Sequence, residues 1–583
     1  MRTCDWIFLV FVCAGAGCTG QIGDGGGNSH HGPQGTATGT GAGNSTGGAG
    51  SGTIPNGLTG MASPDGHAGA AATVGPTPLR RLGKTELHNT LLDLFPGLPA
   101  NFDANVGLPA DNDIQLAFSL PGSVSDLEAK RFMDLAEATI AALGPNAPGN
   151  QATCAGSDQT ACARGFVTSF GKRAFRRPLD AAEVDDLAAL YTKLRTDPQM
   201  NYGFPDALNL VVEAILQAPG FLYRWERGLA APQLDGALVK FDSYEMASRL
   251  SYFLWNSMPD AALMAAADAG KLSTPDGVAE QATRLLMDPR ADSALADFVT
   301  QWLELHPLQD AIKDQASYPT FKPALKDSMR AETVAFAHDV LRGSSPTFAS
   351  LLTAPYTFVD AQLAQYYGVT PDGTGRVNLT GTARLGLLTQ GAVMAVKGNS
   401  YRTSPVRRGK FILNRMLCST VPAPPPNVVT QLPPPDPTKT IRQQMADHRT
   451  DPSCAGCHTV MDGLGFAFEH FDGAGNYQAN DRGHPIDSSG SVMIAGLPTL
   501  TFQDASGLAN ALASLPAAHE CFVRQWLRYA INRFEQDADA PAVAHLASSY
   551  ESSRLDTRNL IVEITRTLPF SHRAPAQGEV LTP

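Results

Sequence analysis

The sequence predicts a mainly α-helical protein made of several helical subdomains in series. From residue 76 onward, apolar residues recur with the period of an amphipathic helix, whereas the alternation of a β-strand is sparse. Hydrophobic residues make up 43% of the chain and charged residues 17%. The chain can therefore bury large cores, and it is not disordered as a whole.

Length and charge limit the function classes. At roughly 150 residues per domain, the 583 residues suggest about four domains or subdomains. The 44 Lys and Arg against 56 Asp and Glu give a net charge of −12, which argues against a nucleic-acid-binding surface spread over the whole protein. Beyond the N-terminus, no run approaches the roughly 18–20 apolar residues of a membrane span.

Residues 1–18 have the pattern of an export signal. Arg2 precedes a short apolar stretch at 6–16, and small residues then lead to Cys18. This resembles the lipobox of bacterial lipoproteins, in which Cys18 would be acylated. Gly15 stands where that pattern has an aliphatic residue, so cleavage without lipidation stays open, as does a buried N-terminal strand.

Residues 19–75 consist largely of Gly, Ser, Thr and Ala and have almost no large apolar side chains. Such a stretch cannot bury enough surface to offset the entropy of ordering it, so we expect a flexible tether. An acylated cysteine followed by a tether holds an exported domain off a membrane. The expected location is the periplasm, the outer membrane or the cell surface.

Helical patterns follow one another along the rest of the chain. In 183–194 and 242–255 the apolar residues fall on one helical face, and Asp242 and Glu245 form a capping-box pattern. A Pro-rich stretch at 422–435 predicts a semi-rigid connector and a domain boundary. Further helices are predicted over 206–217, 280–287, 292–305, 325–342, 521–533 and 557–567.

The stretch that carries chemistry is C-A-G-C-H at Cys454, Cys457 and His458. C-x-x-C-H is the attachment motif of c-type haem, in which the two thiols form thioethers and the histidine is the proximal iron ligand. Export favours this interpretation, because c-type maturation takes place outside the cytoplasm. We therefore predict a small helical module that carries one covalent haem c.

Three other interpretations compete with haem. A redox dithiol is expected in a thioredoxin-like βαβ context, which this region lacks. A zinc site needs a second ligand pair; none has finger spacing, although His448, His470 and His484 are near enough to contribute. A plain structural disulfide between Cys454 and Cys457 is the third.

The second axial ligand of such a haem is open. Met461 is three residues after His458 and, on a helix, would point to the same side, so it reaches the opposite haem face with difficulty. His448 lies ten residues before His458, far enough to wrap around the haem edge. The other donors in this region are Met445, His470, His484 and Met493.

The remaining cysteines suggest two disulfides. Cys154 and Cys162 bracket a short polar loop, and Cys418 and Cys521 flank the haem segment. A bridge of the second kind would close a loop of about a hundred residues and stabilise by about 4–5 kcal/mol in the chain-entropy model.

One basic cluster stands out at 172–178, K-R-A-F-R-R-P. It has the charge to bind anions or an acidic partner, but a solvated helix end with some ion pairs is the expected state.

The order of segments resembles exported bacterial proteins assembled from domain-of-unknown-function families 1587, 1595, 1592, 1588 and 1585, which are linked with planctomycete-type cytochrome c modules. The resemblance spans about residues 76–572. The segments that carry it are LRRL with TEL (79–82 and 85–87), FRRPL with FLYR (175–179 and 221–224), YEMASRLSYFLW (244–255), RTSPVRRGK (402–410), DPSC through CH (451–458), MDGLGF (461–466) and EHFD (469–472).

The resemblance supports haem on Cys454, Cys457 and His458 and marks His448 and Met461 as recurring residues near the motif. Gly463 departs from the family pattern, which has proline after Met-Asp, so the turn expected after the haem helix is in question. The predicted domains are helical ones at 76–150, 151–230 and 238–370, a cytochrome c-like one at 383–500 and a helical C-terminal one at 502–572.

Two function classes follow. The first is an exported c-type cytochrome-like protein that passes electrons to or from a partner oxidoreductase. The second is a surface-tethered binding or scaffold protein that grips a carbohydrate or a protein, with a structural cysteine motif. No catalytic residue can be assigned, an electron-transfer protein is favoured over a self-sufficient enzyme, and no nucleic-acid partner is expected. Glu245, Arg249 and Trp255 are best interpreted as cap, ion pair and core.

Overall fold

A computed structural model describes residues 74–575 except 76, 78, 100, 106, 109–124, 155–157, 229–233, 236–237, 423–435, 437 and 449–451. The predicted signal segment, Cys18, the tether and most of the Pro-rich connector lie outside the described residues. The described residues belong to one compact unit.

The described chain is mainly helical, as predicted. The α-helices are α1 (Lys84–Leu94), α2 (Asp126–Leu143), α3 (Pro148–Gln151), α4 (Gln159–Ala174), α5 (Ala181–Thr196), α6 (Phe204–Gln217), α7 (Pro219–Leu222), α8 (Ser243–Trp255), α9 (Ala261–Asp268), α10 (Pro275–Met287), α11 (Ala291–Trp302), α12 (Pro323–Arg342), α13 (Phe348–Thr353), α14 (Ala361–Tyr367), α15 (Gly391–Val396), α16 (Pro405–Phe411), α17 (Ile441–His448), α18 (Pro452–Gly465), α19 (Ala505–Ala513), α20 (Pro516–Ile531), α21 (Ala540–Ser552), α22 (Thr557–Ile564) and α23 (Leu568–Ser571).

The strands are short and form two- or three-stranded antiparallel sheets. They are β1 (Arg80–Arg81), β2 (Tyr223–Arg224), β3 (Leu234–Asp235), β4 (Leu238–Lys240), β5 (Tyr356–Phe358), β6 (Arg376–Asn378), β7 (Asn480–Asp481), β8 (His484–Pro485), β9 (Gly490–Val492), β10 (Leu500–Phe502) and β11 (His572–Arg573). Two pairings join distant parts of the chain: β1 with β2, and β11 with β4.

All eight predicted helical segments are helical, with shifted ends. The segment 292–305 ends early, at Trp302 in α11, and 521–533 begins early, at Pro516 in α20. The capping box at the start of α8 is present: Asp242 accepts from the Glu245 amide, and Glu245 accepts from the Asp242 amide.

Two large hydrophobic cores hold these helices. The smaller one is built mainly from α1 to α7, with Tyr252 and Met258 at its edge. The larger one extends from Phe241 to Phe570. In it, α8, α11 and α20 meet through aromatic rings, and Phe298 stacks on Trp526 with ring centroids 3.5 Å apart. The last helical region of the chain thus shares one core with α8 and α11.

Candidate functional site

The C-x-x-C-H residues lie on α18. Cys454 and Cys457 are three residues apart and His458 follows at once, so all three project from one side of the helix. Cys454 is buried, Cys457 is exposed, and the His458 side chain is 20% exposed. The helix therefore presents a thiol and an imidazole at the protein surface.

The thiols of α18 differ from the other described cysteines. Cys154 is bonded to Cys162, and Cys418 to Cys521, which are the two pairs that the sequence suggests. Cys454 and Cys457 belong to neither bridge and are not bonded to each other. A structural disulfide in the motif is therefore not what the described structure contains.

His458 is held by a carboxylate one helical turn away. Its Nδ1 lies 3.1 Å from Oδ1 and 3.2 Å from Oδ2 of Asp462, whose side chain is fully buried. A carboxylate accepts hydrogen bonds, so it favours a proton on Nδ1. The unprotonated Nε2 of a neutral imidazole is then the nitrogen that can bind a metal.

The second half of α18 is locked against α16. A Cβ added to Gly409 would lie 1.6 Å from the carbonyl oxygen of Met461, and one added to Gly465 would lie 1.9 Å from that of Pro405. The two backbones are in direct contact, and only glycine permits this at both positions. Helix α18 is thus positioned by backbone, which tolerates little displacement.

The sequence left in question the turn expected after the haem helix, because Gly463 replaces the family's proline. The helix runs through Gly463 to Gly465 without a turn. A Cβ at Gly463 would lie 2.8 Å from Cγ2 of Val492 on β9, so close packing explains the glycine where the resemblance has proline.

Arg408 fixes the segment that follows α18. Its fully buried guanidinium donates to the carbonyl oxygens of Phe468 and Asp472, both at 2.7 Å, and lies 3.6 Å from Glu469 Oε1. Thr403 Oγ1 donates to Glu469 Oε2 at 2.7 Å. Burial raises the pKa of Glu469 to about 7, although Arg408 opposes that shift.

The predicted distal ligands occupy different settings. Met461 is 5% exposed and packs in the larger core, and Met445 is buried against Ile441 and Phe466. His448 ends α17, but its side chain is not among those described. The second axial ligand remains a prediction.

The other donors are spread over the module. The Nδ1 of His470 lies 3.0 Å from the Gln478 carbonyl oxygen, and its ring stacks on Tyr477. His484 lies on β8, and Met493 is 77% exposed. Within the described ranges, no group of three or more His, Cys, Asp and Glu side chains is arranged to hold a metal ion.

Family models match four successive parts of the chain: DUF1595 at 162–226, DUF1592 at 241–369, DUF1588 at 384–481 and DUF1585 at 500–570, each a protein of unknown function. These matches cover more than half of the chain, and α18 falls inside the DUF1588 match. The chain belongs to the proteins assembled from these families. It matches no curated protein and no solved structure.

The DUF1595 region contains the basic cluster, whose side chains form ion pairs and hydrogen bonds within the protein. Lys172 pairs with Asp268 at 2.7 Å, and Arg177 pairs with Glu183 at 2.6 Å. Arg176 is 2% exposed and donates to the carbonyl oxygens of Ala174, Gly220, Phe221 and Tyr223. The expectation of a solvated helix end is wrong for Arg176, because these carbonyls surround it.

The DUF1592 region uses its motif residues for folding. Glu245 caps α8 and accepts from the amides of Arg227 and Gly228. Arg249 lies 2.7 Å from Glu226, and Trp255 is buried. Their interpretation as cap, ion pair and core is confirmed.

A cavity of about 500 Å³ lies where the DUF1595 and DUF1592 regions meet. Met258 and Met264 line it together with Lys172, Asp268 and Arg290, whose charges form ion pairs.

None of the helices in the described part of the chain has both the length and the apolar character needed to cross a bilayer.

Sequence analysis missed Asp462 as a partner of His458. Its signal was available, because residues four apart on a helix are neighbours and Asp462 is four residues after His458. Arg408 was noted only as part of a motif, and its buried role depends on carbonyls some sixty residues away.

Proposed function

We propose that this protein is an exported, membrane-tethered c-type cytochrome-like protein that binds one haem. Cys454 and Cys457 would hold the haem through thioethers, His458 would bind its iron, and electrons would pass to or from a partner oxidoreductase. Bound haem c supplies a one-electron iron couple.

The observation that carries this proposal is the state of the two motif thiols. In a chain whose other described cysteines are bridged, Cys454 and Cys457 remain unbridged on one helix face beside His458. This donor set has the chemistry that covalent haem requires: two thiols and one imidazole. The position of α18 within the DUF1588 match supports the same conclusion.

The chain's own residues divide the work. Gly409 and Gly465 hold α18 against α16, Arg408 fixes the segment after it, and Asp462 orients His458. The exposed Cys457 places one thiol of the motif at the surface, where a partner protein could approach the haem. Export rests on the sequence of residues 1–18, and tethering on Cys18 and residues 19–75.

The test is a reduced-minus-oxidised visible spectrum and a pyridine haemochrome assay on protein expressed through a periplasm with c-type maturation. We expect a c-type α-band that survives denaturation, at one haem per chain, and its loss in Cys457→Ala. The matched control is the double variant Cys154→Ala, Cys162→Ala, which removes two cysteines away from α18 and retains the band.

A colourless wild-type protein in which Cys454 and Cys457 are disulfide-bonded or hold zinc would contradict the proposal. The scaffold or binding function, with a carbohydrate or protein partner, would then take its place.

A further inference from the structure

We propose that Asp462 is a positioning residue for the haem: it fixes His458 Nε2 as the iron ligand and lowers the reduction potential of the bound haem. This inference rests on the proposed function and deepens it.

The contact is close and sheltered. Both carboxylate oxygens of Asp462 lie within 3.2 Å of His458 Nδ1, and the Asp462 side chain is fully buried, whereas that of His458 is 20% exposed. The acceptor thus lies on the protein side of the imidazole. With the proton on Nδ1, Nε2 is the ring nitrogen that can bind a metal.

Helix geometry keeps this pair together. Residues four apart lie about one turn from each other on the same face. Gly409 packs directly on the Met461 carbonyl, and Gly465 packs directly on the Pro405 carbonyl. The turn that carries Asp462 therefore has little freedom to move. The orientation of His458 is therefore set before any haem is attached.

The charge of the carboxylate has an electronic consequence. An acceptor on the second nitrogen of a metal-bound histidine raises the basicity of that ligand. A more basic ligand stabilises ferric iron more than ferrous iron, because ferric iron carries one more positive charge. The buried position of Asp462 strengthens this effect, since charges interact more strongly away from water.

The test compares midpoint potentials of haem-loaded wild type, Asp462→Asn and Asp462→Ala. Asparagine retains an acceptor oxygen without the charge, and alanine removes both. If the charge favours ferric iron tenfold, Asp462→Asn raises the potential by about 59 mV, the one-electron equivalent of a factor of ten. We expect a further rise in Asp462→Ala.

Glu469→Gln is the matched control, because Glu469 is also buried in this module but is held by Arg408 and Thr403. We expect its potential to stay near that of wild type. Equal potentials of Asp462→Asn and wild type, or an equal rise in Glu469→Gln, would overturn the inference.

A measurement on wild type covers the case in which the Asp462 variants do not fold. In the ferrous protein with CO added, ¹⁵N NMR should show a proton on His458 Nδ1 that exchanges with water far more slowly than the ring protons of His545, whose side chain is 63% exposed. Equal exchange would contradict the inference. If the wild type carries no haem, both proposals are wrong. If it carries haem, but the His458 Nδ1 proton exchanges as fast as the His545 ring protons and Asp462→Asn has the wild-type potential, only this inference is wrong.

Discussion

Helices α8 and α18 carry two of the most distinctive segments of the sequence, and the structure treats them differently. Helix α8 buries nearly every side chain of its second half, including the charged Arg249. Helix α18 is locked by α16 along its second half, but a Cβ at Gly456 would meet only open space, and Cys457 is exposed. A distinctive segment is therefore no guide to chemistry by itself. What distinguishes α18 from α8 is that it carries an exposed cysteine that is not in a disulfide.

Among the substitutions considered, one at the contact between α16 and α18 should lower the free energy of unfolding most. We expect Gly409→Ala to destabilise the protein by about 4 kcal/mol or more, because the new methyl would overlap the Met461 backbone and neither helix can yield cheaply. Urea unfolding followed by circular dichroism measures this free energy. Gly456→Ala is the matched control on the open part of α18 and should stabilise by about 0.5–1 kcal/mol through helix propensity. Similar values for the two variants would remove the distinction between the two halves of α18.

In α8, the buried ion pair is the next target. Arg249 lies 2.7 Å from Glu226 and donates to the Pro569 carbonyl oxygen. We expect Arg249→Met to cost about 3 kcal/mol, because Glu226 loses the buried partner that lies 2.7 Å away. Adding Glu226→Gln should recover part of this loss in the same urea measurement. A cost below about 1 kcal/mol would show that α8 does not depend on the pair.

The segment after α18 should show a dependence on pH. Burial raises the pKa of Glu469 from 4.5 to about 7. Between these values the unfolded chain ionises this group while the folded chain keeps its proton, so stability falls as the pH rises from 4.5 to 7, by up to about 3 kcal/mol. Below pH 4.5 and above pH 7, Glu469 does not change how the free energy of unfolding depends on pH.

Glu469→Gln, which resembles the protonated form, should remove this slope. The free energy of unfolding of the variant relative to wild type should therefore increase between pH 5 and pH 8. The exposed Glu280, changed to Gln, serves as the control and should leave the pH dependence unchanged. A constant difference between Glu469→Gln and wild type would refute the expectation.

Local patterns predicted much of the fold. Apolar periodicity located α5, α6 and α12, and the Asp242 and Glu245 spacing located the start of α8, because each depends on residues a few positions apart. The strand pairings and the shared aromatic core depend on residues that are far apart in the chain. A single sequence contains no signal for such contacts.

The candidate site divides in the same way. The motif identified Cys454, Cys457 and His458, and helical spacing would have identified Asp462. The charge of Arg176 suggested solvent, and Arg408 was noted only as part of a motif. Both are buried because carbonyl groups from other segments surround them. The number of available carbonyls around a guanidinium is a property of the assembled fold.

The Cys418–Cys521 bridge has a consequence for how the protein responds to proteolysis. It spans 103 positions and makes a covalent ring that contains α17, α18 and the Pro-rich connector. One peptide bond cut anywhere inside that ring opens the ring but releases no fragment. The C-x-x-C-H helix thus remains attached to the rest of the molecule after a single nick, and it separates only after a second cut or after reduction.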